Sequence, residues 1–114
     1  MTPNEYQLAA MQTAPEHIFE HVDDALDNTA LGLCGEAGEF ADILKKYFYQ
    51  EHPVDTYHLA KELGDICWYV AMGATALGCD LEEIMNMNIE KLKARYPEGH
   101  FDADRSQHRE EGDI

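Results

Sequence analysis

The sequence predicts an all-α fold, and three observations predict it. Apolar residues recur at helical spacing through two long stretches, about 29–50 and 55–77. Capping and helix-stopping residues bracket those stretches. No strand-like alternation occurs anywhere in the 114 residues.

Taken in order, Thr2-Pro3-Asn4-Glu5 has the form of a capping box with proline at the first helical position. A short helix is expected from there to about Gln12, burying Tyr6, Ala9 and Met11, until Thr13-Ala14-Pro15 breaks it. Residues 16–27 mix five acids with Ile18, Phe19, Val22 and Leu26, which fits either a short amphipathic helix or a loop. His17 and His21 within it read as a surface pair. Asn28 or Thr29 caps the second helix, 29–50. Leu33, Cys34, Ala37, Phe40, Ala41, Leu44 and Phe48 form its apolar stripe, with Glu36, Glu39 and Asp42 along an adjoining one.

Gly32, Gly35 and Gly38 each cost up to about 1 kcal/mol against alanine in a helix. Beside the carboxylates they suggest the close approach of a neighbouring helix or a ligand. Glu51-His52-Pro53 ends this helix, because a residue before proline avoids helical geometry. Asp55, or Val54 just before it, starts the third helix, which keeps its period through Tyr57, Ala60, Leu63, Ile66, Cys67, Val70, Ala74 and Leu77. Gly78 is placed to close it in the left-handed conformation. Asp80-Leu81-Glu82-Glu83 opens the fourth helix with a second capping box, and Tyr96-Pro97 stops it. The short break between the second and third helices makes them an antiparallel hairpin. Their stripes are wider than one hairpin contact needs, so a second subunit is expected to complete a four-helix-bundle core, as a homodimer or a homotetramer. The domain spans 1–101, and 102–114 is read as a flexible acidic tail.

Eight Lys and Arg against 23 Asp and Glu give a net charge of −15, which argues against direct contact with bare nucleic acid. The imbalance is local as well, since the first basic residues are Lys45 and Lys46. No apolar run reaches the roughly 20 residues of a membrane helix, and Met1–Ala10 lacks the basic and apolar regions of a signal peptide. The three cysteines, Cys34, Cys67 and Cys79, form no C-x-x-C pair and are read as small core residues of a reduced cytoplasmic protein.

Chemistry concentrates in two acidic pairs, Glu36/Glu39 and Glu62/Asp65. Each pair is spaced i, i+3, so both of its carboxylates share one helical face. Four inward carboxylates repel one another unless a cation lies between them. Oxygen-only ligands favour Mg²⁺, with Mn²⁺ as the alternative. A di-iron carboxylate bundle needs Glu-x-x-His on two helices, and this chain has no Glu-x-x-His. A plain bundle with ion-paired acids fails on numbers, since the second helix carries only Lys45 and Lys46 and the third only Lys61.

On the fourth helix Asn88, Lys91 and Arg95 share a face and suit phosphate oxygens. Lys45 is a further phosphate candidate, although a helix C-terminus favours cations in any case. Trp68 and Tyr69 follow Asp65 by three and four positions. Tyr69 is placed to reach the metal side, whereas Trp68 either stacks on a base or fills the core.

The run Gly35-Glu36-x-x-Glu39, then Glu62-x-x-Asp65 after 22 residues, resembles the E-x-x-E…E-x-x-D signature of MazG-type all-α nucleoside triphosphate pyrophosphohydrolases. Asn88-x-x-Lys91-x-x-x-Arg95-Tyr96-Pro97 is similar to the family's third segment, and the resemblance covers about residues 28–101. It implies hydrolysis of a (deoxy)nucleoside triphosphate to the monophosphate and pyrophosphate. Glu36, Glu39, Glu62 and Asp65 would hold Mg²⁺, Lys91 and Arg95 would hold the phosphates, and Asn88 would orient the substrate. Glu39 is the carboxylate assigned to take the proton of the attacking water. A different class remains open beside it, a catalytically silent acidic protein that mimics nucleic acid or inhibits a partner.

Overall fold

The computed structural model describes residues 1–109, and all of its regular structure is helical. It contains α1 (Pro3–Met11), a 3₁₀ turn (Ile18–Glu20), α2 (Val22–Tyr49), α3 (Thr56–Ala76), α4 (Leu81–Arg95) and α5 (Ala103–Gln107). The chain divides into two compact units, Met1–Leu81 and a second beginning at Glu82.

The first unit is an α2–α3 hairpin with α1 laid against α3. Two close contacts define the antiparallel crossing. A Cβ on Gly32 would overlap the Tyr69 ring, and one on Gly73 would sit 3.0 Å from Thr29 Cγ2. Gly32 is therefore required by Tyr69. Gly35 and Gly38 border open space instead, so among the described residues no neighbour presses on them.

Caps follow the expected chemistry at several ends. Thr2 and Glu5 form the reciprocal capping box, Glu5 N–H donating to Thr2 Oγ1 at 3.1 Å and Thr2 N–H to Glu5 Oε1 at 2.9 Å. Asp55 caps α3 by accepting from Tyr57 N–H at 3.0 Å. Gly78, at φ +71°, closes α3 in a Schellman motif. There Cys79 N–H donates to Ala74 O and Gly78 N–H to Thr75 O.

Several expectations need correction. α2 begins at Val22 rather than at 29, so 22–27 are helix and 16–21 hold the 3₁₀ turn. Thr29, a strong cap by type, lies buried in mid-helix with its hydroxyl donating to Ala25 O at 2.8 Å. Asp23 and Asp24 occupy the first turn, where the helix dipole favours acids. His17 and His21 are both exposed, as a surface pair should be. Cys34 and Cys67 are exposed rather than in the core, and Cys79 is half-buried. On α1 the buried residues are Gln7 and Ala10, while Ala9 is exposed and Tyr6 and Met11 are half-buried. The tail read as flexible carries one helical turn, α5, capped by Asp102, and residues 110–114 of it lie outside the described part.

The core is small-residue and partly polar. Ala25, Ala71, Met72, Ala74 and Leu81 are buried with Thr29, Gln7 and Glu62. Much of the apolar stripe expected inside is exposed in the single chain, with Phe48 67 %, Tyr57 70 % and Leu77 60 % accessible.

Two polar clamps hold α1 to α3. Gln7 Nε2 donates to Thr75 Oγ1 and to Cys79 O, each at 3.0 Å, and Gln7 Oε1 accepts from the buried Leu81 N–H at 2.7 Å. Trp68 Nε1 donates to Ala10 O at 3.0 Å and to Thr13 Oγ1 at 2.9 Å. Replacing Gln7 with leucine leaves that buried N–H unpaired. Gln7→Leu is expected to lower unfolding free energy by about 2–4 kcal/mol, read from urea denaturation. An unchanged midpoint and slope would refute the clamp.

Candidate metal centre

The α2–α3 crossing sets the acidic residues face to face. Glu36 comes from α2, and Glu62 and Asp65 come one turn apart on α3. One carboxylate oxygen from each lies within 4.8 Å of the other two. Glu36 is half-buried, Glu62 is only 8 % exposed and Asp65 is exposed. Glu39 is exposed and falls outside this set of three. Its charge still reaches Glu36 and adds to the local repulsion.

Two features show that the cluster is electrostatically unfinished. The Glu36 carboxyl is held above its ordinary value of 4.5, first by removal from water and then by the Glu62 carboxylate set against it. The charges of Asp65, Glu62 and Glu39 push it further the same way. Glu62 Oε2 is fully buried and has no hydrogen-bond partner, whereas Glu62 Oε1 lies 3.2 Å from His58 Nε2. A buried, unpartnered carboxylate oxygen costs free energy that a bound cation recovers. Mg²⁺ holds its oxygens at about 2.1 Å, which sets any two of them about 3–4 Å apart. A triad spread over no more than 4.8 Å needs only small side-chain adjustment to reach that spacing, so the residues present fit a hard divalent cation.

The lysines of the Met1–Leu81 unit are engaged elsewhere. Lys45 and Lys46 Nζ pair with Asp42 at 3.2 and 2.8 Å, and Lys61 Nζ stands 4.7 Å over the Tyr57 ring. Those pairs hold Asp42 below its usual carboxylate range, chiefly through hydrogen bonds from Lys46 and Lys45.

Trp68 and Tyr69 do reach the cluster's cavity. Together with Glu36 and Asp65 they line an open cleft of about 270 Å³, their rings edge to face with centroids 4.9 Å apart. Because Trp68 spends its N–H on α1, it offers the cleft ring surface and no donor. Asn88, Lys91 and Arg95 lie on α4, Asn88 exposed and the two cations half-buried. Sequence reasoning missed two neighbours of the cluster. Tyr6 on α1 is close enough that Asp65, after burial and Cys67, raises its hydroxyl pKa. His58 precedes Glu62 by one helical turn, and that i, i+4 spacing was the available signal.

A helical hairpin thus brings three carboxylates together beside an aromatic cleft, a donor set whose chemistry suits a metal ion. The profile of the MazG nucleotide pyrophosphohydrolase domain matches residues 25–100, more than half of the chain, and the chain belongs to this family. It is also 37 % identical over 103 residues to the "Gene 37 protein" of Mycobacterium phage L5, covering 82 % of this chain and 88 % of that one. No solved structure matches. Among the described residues no helix is long and apolar enough to cross a membrane.

The raised Glu36 pKa sets the sign of a pH effect. A carboxyl whose pKa rises on folding contributes stability that is fully present below its unfolded value, here 4.5, and lost as pH climbs through the folded value. The metal-free protein should therefore lose this contribution to its melting temperature above pH 4.5, and Mg²⁺ or Mn²⁺ should restore it. Glu36→Gln should melt higher than wild type without metal at pH 7 and gain less from added cation. A variant that melts lower without metal and gains as much would contradict this.

Proposed function

We propose that this protein hydrolyses a (deoxy)nucleoside triphosphate to the monophosphate and pyrophosphate in the presence of Mg²⁺, and so controls a nucleotide pool. The observation that carries the reading is the convergence of Glu36, Glu62 and Asp65, in which Glu62 also has a buried, partnerless oxygen, in a chain of the MazG family. When bound, Mg²⁺ (or Mn²⁺) neutralises the triphosphate and makes a water acidic enough to attack near neutral pH. Glu36, Glu62 and Asp65 supply the oxygens that hold it, with Glu39 as a fourth ligand or as the base. The exposure of Glu39 suits the second role, since a base must meet water and release a proton.

In the reaction the water oxygen bonds to the α-phosphorus, Glu39 takes the proton, and the bond to the α–β bridging oxygen breaks. Pyrophosphate departs with its charge matched by Lys91 and Arg95, while Asn88 orients the substrate. Lys45 is a reserve contact that must first leave Asp42. Trp68 and Tyr69 flank the nucleotide with ring surface. The apolar side chains left exposed on the hairpin, Leu31 and Phe48 among them, suit a homodimer or homotetramer that completes a helical bundle. The −15 charge accords with function without nucleic-acid contact, and the free cysteines accord with a reducing cytoplasm. A rival reading, an inactive acidic mimic or inhibitor, draws on the same charge but has no use for the orphaned Glu62 oxygen.

A panel of canonical and damaged (d)NTPs with Mg²⁺ in H₂¹⁸O tests the reading. The expected products are pyrophosphate and a monophosphate bearing the label. Orthophosphate from γ-attack, or intact nucleotides throughout, would contradict it. Glu39→Gln should lower turnover at saturating Mg²⁺ by at least about 10²-fold, the usual scale for a general base. Near-normal turnover would remove Glu39 from that role.

A further inference from the structure

His58 belongs to no motif and has no part in the reaction above. It stands one helical turn before Glu62 on α3, with its Nε2 3.2 Å from Glu62 Oε1. The two ends of this pair sit in different surroundings. The Glu62 side chain is 11 % exposed and that of His58 is 54 % exposed. Glu62 thus has one oxygen in contact with a ring that reaches in from solvent, and a second, Oε2, that is buried with nothing to bond.

The backbone fixes the reach of this i, i+4 pair, so the contact does not depend on any other helix. Nε2 carries a hydrogen in the imidazolium and in the Nε2–H tautomer, and from this 3.2 Å contact a small turn of the ring lets it donate to Oε1. Such a donor occupies one oxygen and opposes rotation of the carboxylate about its last bond. A glutamate free to turn would offer either oxygen, or both at once.

We infer that His58 is a positioning residue of the cation site, holding Glu62 Oε1 so that Glu62 presents Oε2 to the ion. This rests on the cation reading of the acidic triad and adds to it which oxygen binds and what orients it. Carboxylates that bind metals are themselves commonly hydrogen-bonded, and losing such a partner costs about 10–100-fold in metal affinity. A pair that served only α3 would leave metal affinity alone, since an exposed i, i+4 contact contributes only a few tenths of a kcal/mol to a helix.

The test is Mn²⁺ binding to the full chain, followed by the paramagnetic resonance of the free ion. Wild type, His58→Ala, His58→Gln and Glu62→Gln are compared, with helical circular dichroism confirming that each is folded. His58→Ala is expected to bind Mn²⁺ about 10–100-fold more weakly. His58→Gln, whose amide nitrogen can donate in place of the ring, is expected to recover most of that loss. Wild-type affinity in His58→Ala, or no recovery in His58→Gln, overturns the role of His58 and leaves the cation site standing. Wild type binding no better than Glu62→Gln overturns the cation site and this inference with it.

Discussion

Mutual repulsion among Glu36, Glu62 and Asp65 is the constraint on which the rest of this structure turns. The α2–α3 crossing that packs Gly32 on Tyr69 and Thr29 on Gly73 is also what forces these carboxylates within 4.8 Å of one another. Helix packing therefore creates an electrostatic debt, visible in the raised Glu36 pKa and in the partnerless Glu62 oxygen. In the first unit the lysines are tied to Asp42 or lie over Tyr57, so none of them offsets this repulsion. Such repulsion among close carboxylates costs the metal-free fold stability.

The scaffold tolerates that repulsion because its other joints are specific. Few large apolar side chains are buried, and Met72 is the largest that is fully enclosed. In their place, amide and indole hydrogen bonds from Gln7 and Trp68 tie the first helix to the third. The same Trp68 contact turns its ring edge away from the cleft's chemistry and leaves an aromatic wall beside Glu36 and Asp65. One residue thus belongs to the fold and to the site at once.

The helices, the hairpin and the acidic pairs were legible in the sequence because each depends on local spacing. The start of α2 was not. Asn28 and Thr29 are strong caps by residue type, and only tertiary burial shows that Thr29 bonds back to Ala25 inside a longer helix. Periodicity marked Cys34 and Cys67 as apolar without saying which face meets the partner helix, so their exposure was hidden. The buried role of Gln7 was not legible, since its three partners lie about 70 positions away in sequence. Within the site, i, i+3 spacing put Glu36 and Glu39 on one face of α2, yet the crossing carries Glu36 into the triad and leaves Glu39 outside.

The central claim is that this triad holds a divalent cation, and diffraction from crystals grown with Mn²⁺ tests it most directly. The account predicts an anomalous peak within bonding distance of oxygens from Glu36, Glu62 and Asp65, with Glu62 contributing its buried oxygen. Manganese bound elsewhere on the molecule, with the three carboxylates still clustered around empty density, would contradict it.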